Sequence, residues 1–352
     1  MKKFLSIALA IVMVVGVVFL VGCGNKTEEP KDETPAAAET LKFGMGVVAS
    51  YGDIKDASDE GDGEVELVVD IAAVTIDADG KIVKCVLDCA DSKAKFTADG
   101  KAAEAGEFKT KYELGPDYGM AAYGTDVNGD GVVKEWNEQT DAFAALVVGK
   151  TVDEVKALMA EDTSGVEEVM NAGCTIHISG YVKAIEAAIS NAADSKATAD
   201  STLKIGVATS QSNKDATEEA NGEIGIDSTI VATALDADGK VLASSTDVAA
   251  ATFTFDTKGV SATDTTAEIK TKKALGADYG MAAYGNDLNG DGEVKEWNEQ
   301  GAAFDAALIG KNATEIGALA IETGYGVADL QTAGCTIHVG DMVKAAVKAA
   351  TK

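Results

Sequence analysis

The stretch LGPDYGMAAYGTDVNGDGVVKEWNEQ, residues 114–139, returns as LGADYGMAAYGNDLNGDGEVKEWNEQ at residues 275–300, with differences at only four positions. The same offset of 161 residues carries the segment GCTIH from 173–177 to 334–338. A period of this length is far too long for a solenoid and corresponds to a tandem pair of domains. The sequence therefore predicts one domain present twice, which we name repeat one and repeat two.

Each repeat begins with strand signals. Residues 65–76 are rich in valine and isoleucine, and a DADGK turn leads from them into a second apolar run at 82–87. This pattern predicts a β-hairpin. In repeat two the segment TFTF, residues 252–255, alternates between polar and apolar side chains and predicts a third strand.

Each repeat ends with helical signals. Apolar side chains recur at helical spacing, and Thr151 with Glu154 has the form of a capping box. The apolar positions that indicate the first and last of these helices are Trp136, Phe143 and Leu146, and then Val182, Ile185 and Ile189. Strands followed by helices predict an α+β fold, in which each repeat is an antiparallel sheet followed by helices.

The N-terminus has the form of an export signal. Lys2 and Lys3 precede an unbroken apolar run at 4–22, and Cys23 follows directly after Leu-Val-Gly. This ending resembles the bacterial lipobox, which implies that Cys23 is lipidated and becomes the mature N-terminus. The alternative is an uncleaved transmembrane anchor. Both place the rest of the chain on the extracytoplasmic face of the bacterial cell membrane, at the cell surface.

The predicted organisation has five parts. The polar, alanine-rich segment between the repeats is predicted to be a linker, and the polar segment after Cys23 a tether that holds the body away from the bilayer. In chain order the parts are the signal peptide 1–22, the lipidated N-terminus and tether 23–40, repeat one at 41–190, the linker 191–202, and repeat two at 203–350.

Charge excludes several functions. The chain of 352 residues has 58 acidic and 30 basic side chains, a formal charge of −28, and every basic side chain is lysine. A general nucleic-acid binder is excluded because phosphate backbones require clustered positive charge. Bidentate guanidinium clamps are unavailable. With only two histidines, and no nucleophile–base–acid set common to both repeats, the protein is not expected to be a stand-alone enzyme.

Four further cysteines do not indicate a disulfide framework, because they are few for the length and have no paired spacing. Cys85 and Cys89 lie four residues apart on a predicted strand and therefore point to the same face. Repeat two has Ser244 and Val248 at these positions. We therefore expect these cysteines to be buried as small apolar side chains.

The segment DVNGDG, which starts at Asp126, recurs as DLNGDG from Asp287. It resembles an EF-hand or dockerin-like calcium loop, with oxygen ligands at positions 1, 3 and 5, a glycine at position 6 and a backbone carbonyl at position 7. Position 12, where that motif has a bidentate acid, is Asn137 or Asn298. The alternative is a solvated Asx turn. The predicted calcium ligands are Asp126, Asn128, Asp130, Val132 and Glu138, and Asp287, Asn289, Asp291, Glu293 and Glu299.

A Gly-Cys-Thr turn precedes the last helix of each repeat. Free backbone N–H groups at a helix start suit an anion, and a hydroxyl there can carry a phosphoester. The residues are Gly173, Cys174 and Thr175 in repeat one, and Gly334, Cys335 and Thr336 in repeat two. Cys174 and Cys335 are each followed by a histidine three residues later. If the repeats met face to face, the four side chains could form a Cys₂His₂ zinc site, but nothing in the sequence requires it. The favoured interpretation is a buried cysteine and a hydrogen-bonded or exposed histidine in each repeat.

The element order resembles the extracytoplasmic FMN-binding domain. The shared features are a Gly-Lys hairpin, a Tyr-Gly-Met segment, a tryptophan-containing helix that ends in a Gly-Lys pair, and a Gly-x-Thr turn before the last helix. That family occurs in flavin-bearing subunits of sodium-pumping redox complexes and, in tandem, in surface lipoproteins of extracellular electron transfer. Its FMN is esterified to the threonine of an Asp-x-x-Ser-Gly-Ala-Thr motif.

The resemblance implies FMN attachment at Thr175 and Thr336. Independently of it, Tyr118 with Met120 and Tyr279 with Met281 could flank a flat ring, and a Tyr-Gly-Met turn packed on the core explains these residues equally well. The chain departs from the motif in having alanine for the serine, cysteine for the alanine, and Val169 or Leu330 for the aspartate.

Two classes of function follow. The first is a membrane-tethered flavin electron carrier, which exchanges electrons with a membrane redox partner. The second is a calcium-stabilised surface module that binds or adheres to a ligand without chemistry. The predicted cofactors are calcium and FMN, and the predicted membrane contact is the N-terminal lipid.

Overall fold

The computed structural model describes residues 39–124, 126, 131–284, 287, 290 and 292–351. The predicted signal peptide, Cys23 and most of the tether lie outside these residues, as do the loop positions Asn128, Asp130, Asn289 and Asp291. Within the described part of the chain, no helix is long and apolar enough to cross a membrane.

Repeat one is an antiparallel sheet followed by helices. Its strands are β1 (Lys42–Tyr51), β2 (Gly63–Ile76) and β3 (Ile82–Phe96). Its helices are α1 (Lys111–Leu114), α2 (Met120–Tyr123), α3 (Trp136–Leu146), α4 (Val152–Lys156), α5 (Glu167–Asn171) and α6 (Ser179–Ser190), with a 3₁₀ turn at Gly115–Tyr118. The short strand β4 (Ala193–Asp194), in the segment between the repeats, pairs with β1, so sheet one has the order β3-β2-β1-β4.

Repeat two has the same element order. Its strands are β5 (Thr202–Lys214), β6 (Gly222–Leu235) and β7 (Val241–Phe255), which form sheet two in that order. Its helices are α7 (Lys272–Leu275), α8 (Met281–Tyr284), α9 (Trp297–Leu308), α10 (Ala313–Gly317), α11 (Ala328–Thr332) and α12 (Gly340–Ala350), with a 3₁₀ turn at Gly276–Tyr279. The predicted α+β class, with two sheet-then-helix units, is confirmed.

The strands are longer than the sequence signals. The alternating segment 252–255 is the end of β7 and not a separate strand, because β7 runs without interruption from Val241. Most of its earlier residues are buried or half-buried on both faces, and a strand covered on both sides loses the polar alternation that marks a half-exposed one. The first strands, β1 and β5, were not predicted.

The two sheets pack face to face, with helices on their outer sides. Alternate residues of β2 and β6, such as Val65, Leu67, Ile224 and Ile226, form one central core between the sheets. Two further cores lie between each sheet and the helices of its own repeat. The described residues from 39 to 351 therefore form one compact unit with four layers.

A pseudo-twofold axis relates the repeats. Phe96 stacks on its counterpart Phe255 with ring centroids 4.6 Å apart. The Ala57 N–H donates to the Gly259 carbonyl, and the equivalent Ala216 N–H donates to Gly100, both at 2.8 Å. Such reciprocal contacts are the signature of an isologous interface, as in a twofold dimer.

Candidate functional site

A buried glutamine organises the same site in each repeat. In repeat two, Gln300 Oε1 accepts hydrogen bonds from the Thr336 amide at 2.8 Å and the Thr336 hydroxyl at 3.0 Å. Its Nε2 atom donates to the Lys295 carbonyl at 2.9 Å and lies 3.4 Å from Met281 Sδ. One side chain on α9 thereby fixes the Gly-Cys-Thr turn, the Tyr-Gly-Met segment and the residues before α9.

Gln139 makes the same contacts in repeat one. Its Oε1 atom accepts from the amide and hydroxyl of Thr175, and its Nε2 atom lies 3.3 Å from Met120 Sδ. The structure therefore brings the predicted threonine and methionine positions together in both repeats. Neither glutamine was singled out from the sequence, although both lie in the duplicated stretch.

A cleft of about 340 Å³ opens beside this arrangement in repeat two. Three residues that the sequence singled out, Tyr279, Met281 and Thr336, line it. The other walls combine rings with a few polar groups, as is typical of small-molecule sites. They include Lys272, Trp297, Gln300, Tyr325 and His338.

One lysine, Lys272, lines the cleft, and a second, Lys295, lies beside the adjoining Gly-Cys-Thr turn. Lys272 lies over the Tyr279 ring, with Nζ 5.6 Å from the centroid, and 3.6 Å from the carboxylate of Asp227. Lys295 Nζ lies directly against Gly334, where the Cβ of any other residue would overlap it. Gly334 also has a φ of +96°, which favours glycine. The cleft therefore pairs aromatic surface with cationic groups.

The backbone of the Gly-Cys-Thr turn is already hydrogen-bonded. The amides of Gly334 and Cys335 donate to the carbonyls of Gln331 and Leu330, and the Thr336 amide donates to Gln300. Helix α12 begins only at Gly340. An anion here would have to bind through lysines and hydroxyls, because these three amides have partners.

The Cys-x-x-His pairs do not meet. Cys174 and Cys335 lie in the separate sheet–helix cores of the two repeats. Burial raises the pKa of Cys174 to about 11 and that of Cys335 to about 12, so both thiols are neutral at pH 7. Among the described residues, no three His, Cys, Asp or Glu side chains are arranged to hold a metal. The four-ligand zinc arrangement is therefore not formed.

The histidines have different neighbours in the two repeats. His338 packs on Tyr325, with ring centroids 3.9 Å apart. His177 instead has Nδ1 2.9 Å from the hydroxyl of Thr163. Thr163 has a φ of +70°, and Gly324, its counterpart, has a φ of +82°. Repeat one therefore places a β-branched residue in a conformation that glycine adopts without strain.

The predicted calcium loops are described only in part. Asp126 Oδ2 accepts from the Gly131 amide at 2.8 Å, and Asp287 Oδ2 accepts from Gly292 at 2.9 Å. Gly131 and Gly292 have φ values of +80° and +85°, so position 6 of each loop does require glycine. These bonds are common to a calcium loop and an Asx turn.

Position 12 has an orphaned oxygen in both repeats. The Oδ1 atoms of Asn137 and Asn298 are buried and accept no hydrogen bond from the described residues. Both asparagines lie in the first turn of the helix that follows the loop. Glu138 and Glu299 accept from the amides of Glu135 and Glu296 and so complete capping boxes. At position 7, Val132 and Glu293 are exposed.

Of the remaining cysteines, Cys89 is buried as expected, whereas Cys85 is half-buried. Cys85 and Cys89 both pack into the sheet–helix core of repeat one, and Cys89 is fully buried. Burial raises the pKa of Cys85 to about 12. The four cysteines of the described segments are all free thiols.

Comparisons with known proteins found no significant match to any protein-family model, curated protein or solved structure. The function is therefore argued from the site itself.

Proposed function

We propose that this protein is a membrane-tethered extracytoplasmic lipoprotein whose repeat two binds a flat, anionic aromatic ligand of the flavin class, FMN, and acts as an electron carrier. The observation that carries the proposal is the cleft at Tyr279, Met281 and Thr336. Sequence alone had selected these three residues, which lie up to 57 positions apart in the chain, and they line one cavity.

The cleft residues have distinct roles in this proposal. Tyr279 and Trp297 supply aromatic surface against which a planar ring packs. Lys272 in the cleft, with Lys295 beside the Gly-Cys-Thr turn, provides the positive charge that a phosphate needs in a protein without arginine. Thr336 donates its hydroxyl proton to Gln300, so both lone pairs of its hydroxyl oxygen remain available. Bound FMN would supply reversible one- and two-electron chemistry, and the lipid on Cys23 would keep it near a membrane redox partner.

Purified protein tests this directly. Native protein extracted from membranes is expected to absorb as a flavoprotein, or to bind added FMN with quenching of flavin fluorescence. Mass spectrometry reports whether the flavin is esterified to Thr336 or Thr175. Thr336→Val should weaken FMN binding at least tenfold, whereas Thr217→Val, which removes an exposed hydroxyl outside the cleft, should not. Absence of both native flavin and FMN binding would contradict the proposal.

We also propose that the duplicated loops bind calcium in a structural role. The supporting observation is the orphaned Oδ1 of Asn137 and Asn298, because a buried carbonyl oxygen without a partner is costly and a cation satisfies it. Asp126 and Asp287 begin the loops, and the predicted ligands at positions 3 and 5 lie outside the described residues. An amide in place of a bidentate acid predicts weaker binding than in a full motif.

Chelation with EDTA distinguishes a calcium-binding loop from a metal-free Asx turn. EDTA should lower the melting temperature of the wild type, and Asn137→Ala should reduce this EDTA effect. Asp77→Ala is the matched control, because Asp77 caps a turn in the β2–β3 hairpin by accepting from the amides of Asp79 and Lys81. That variant should keep the full response to EDTA. An unchanged wild-type melt with EDTA would remove calcium from the proposal.

A second candidate is the calcium-stabilised surface binding or adhesion module. One observation favours it: the turn amides that would cradle a flavin phosphate donate within the chain. A calcium-dependent melt without FMN binding would support this function over the electron carrier.

A further inference from the structure

The two repeats differ at the back of the cleft. A second cavity of about 240 Å³ adjoins the cleft in repeat two and shares Lys272, Trp297 and His338 with it. Thr229 on β6, Val248 on β7 and Met342 on α12 line this inner cavity. The cleft of repeat two therefore extends inward between its helices and sheet two.

Larger and charged side chains occupy the matching positions of repeat one. Tyr181 on α6 corresponds to Met342, and Asp70 on β2 corresponds to Thr229. The Tyr181 ring packs on Trp136 with centroids 6.0 Å apart, and Tyr181 is only 5% exposed. Asp70 lies against Gly180, where an added Cβ would overlap the carboxylate.

These side chains belong to a buried polar cluster in repeat one. Burial raises the pKa of Asp70, whereas Lys111 and hydrogen bonds from Cys89 and Tyr181 act to lower it. Burial also raises the pKa of the Tyr181 phenol, which therefore stays neutral and able to donate. Lys111, the counterpart of Lys272, lies 3.5 Å from Asp91.

Lys272 is held less tightly. Its one ion-pair partner among the described residues, Asp227, has a side chain that is 48% exposed, whereas that of Asp91 is 19% exposed. A lysine paired with a solvated acid is more available to an anionic ligand than one inside a buried cluster.

We infer that the repeats have diverged, so that the chain binds one ligand, in repeat two, while Tyr181 and Asp70 close the corresponding site of repeat one. This inference rests on the proposed function. It adds the number of ligands bound per chain and the residues that set this number. The reason is steric: an aromatic side chain and a carboxylate fill in repeat one the space that a methionine and a threonine leave open in repeat two. In this inference repeat one binds no ligand and serves only to pack against repeat two.

The chain has one tryptophan in each repeat, Trp136 at the start of α3 and Trp297 at the start of α9. Each therefore reports on the site of its own repeat. Protein labelled with 5-fluorotryptophan should therefore give two fluorine NMR signals, which Trp136→Phe assigns. With FMN as the probe, only the Trp297 signal should shift, and titration should saturate at one FMN per chain. Two shifted signals or two FMN per chain would overturn the inference but leave the proposed function intact. No binding would overturn both.

A reciprocal pair of variants tests whether the residue at position 342 or 181 decides which repeat binds the ligand. Met342→Tyr places in repeat two the side chain that repeat one has, and should weaken FMN binding at least tenfold. Tyr181→Met makes the opposite change in repeat one and should leave the affinity of repeat two within twofold. Binding by a folded Met342→Tyr variant that matches the wild type would contradict the inference. If that variant does not fold, the fluorine experiment on the wild-type chain decides.

Discussion

Glu66 is a buried acid whose pKa is raised by burial and by a hydrogen bond with a second acid, Asp91. Only 7% of the residue is exposed. Burial, followed by a side-chain hydrogen bond with Asp91, raises the pKa of Glu66 to about 7. Asp91 Oδ1 is buried and has no other partner among the described residues, so it can accept the proton of a neutral Glu66. The protonated form is therefore favoured in the folded state.

This acid predicts a pH dependence of stability. Because the pKa is higher in the folded chain than the ordinary value of 4.5, the folded state binds more protons between about pH 4.5 and 7. The free energy of unfolding should fall as pH rises through this window. Asp88, whose pKa burial also raises to about 7, adds to the effect with the same sign. Chemical denaturation at pH 5 and pH 7.5 measures it.

Glu66→Gln isolates the contribution of this residue. The amide can donate permanently to Asp91 without losing a proton, so the variant should be roughly 1–2 kcal/mol more stable than the wild type at pH 7.5, with a smaller pH slope. Part of the gain is offset because the 3.6 Å ion pair with Lys93 is lost. Glu64→Gln, which removes a more exposed acid beside the same lysine, should keep the wild-type slope. An equal slope in both variants would contradict this account.

In each repeat the last helix lies very close to the first strand, and glycines in that strand make the close packing possible. Gly44 and Gly46 of β1 lie under α6, where a Cβ would overlap the backbone of Ala188 or Ala184. Gly206 of β5 has the same relation to Ala345 of α12. The absence of side chains lets each last helix rest directly on the first strand of its repeat.

Gly46→Ala should therefore push α6 away from β1. Overpacking of a close contact usually costs about 1–3 kcal/mol, and the loss should appear in the free energy of unfolding. Gly61→Ala is the matched control, because a Cβ at Gly61 has no neighbour within 4 Å. Equal stability of the two variants would mean that the helix can shift without cost.

Local signals predicted some elements well and others not at all. The Thr151–Glu154 capping box was predicted and is formed, with Glu154 accepting from the Thr151 amide at 2.8 Å. Such a motif depends on residues three positions apart. By contrast, β1 contains glycines that weaken any strand signal, and its pairing with β2 depends on residues that are distant in the chain. Its identity as a strand follows from tertiary contacts.

The central core joins the two repeats into a single folding unit. Phe96 and Phe255 are both fully buried at the pseudo-twofold axis. Each sheet covers most of this face of the other. Stability is therefore shared between the repeats, as in an obligate dimer whose subunits are joined in one chain.

Phe96→Ala and Phe255→Ala should each lower the stability of the whole chain. A buried phenylalanine truncation costs about 3–5 kcal/mol, and both variants should still unfold in one cooperative transition by calorimetry. The double variant should lose less than the sum, because the stacked pair is worth about 0.5–1.5 kcal/mol beyond burial. Two separate transitions would show that the repeats fold independently.

The candidate site was only partly predictable. Tyr279, Met281 and Thr336 were selected because they recur in both repeats or match a motif. Gln300 was missed because its role depends on a bond to Thr336, 36 residues away. Lys272 was missed although its counterpart Lys111 recurs at the same offset, because its place in the cleft depends on tertiary contacts. Tyr325 was missed because repeat one has Ser164 at that position. The sequence does not show that Gln300 is buried, and its hydrogen bonds to several segments depend on that burial.

The sequence by itself determined the duplication, the order of strands before helices, the capping boxes and the glycine at position 6 of each loop. All of these depend on identity or on spacing within a few residues, which chain geometry translates directly into local structure. Only the tertiary structure decided that the repeats share one core, that Asn137 and Asn298 hold unpaired oxygens, and that Tyr181 and Met342 make the two sites different. These depend on which distant side chains compete for the same space, and packing settles that only after the chain has folded.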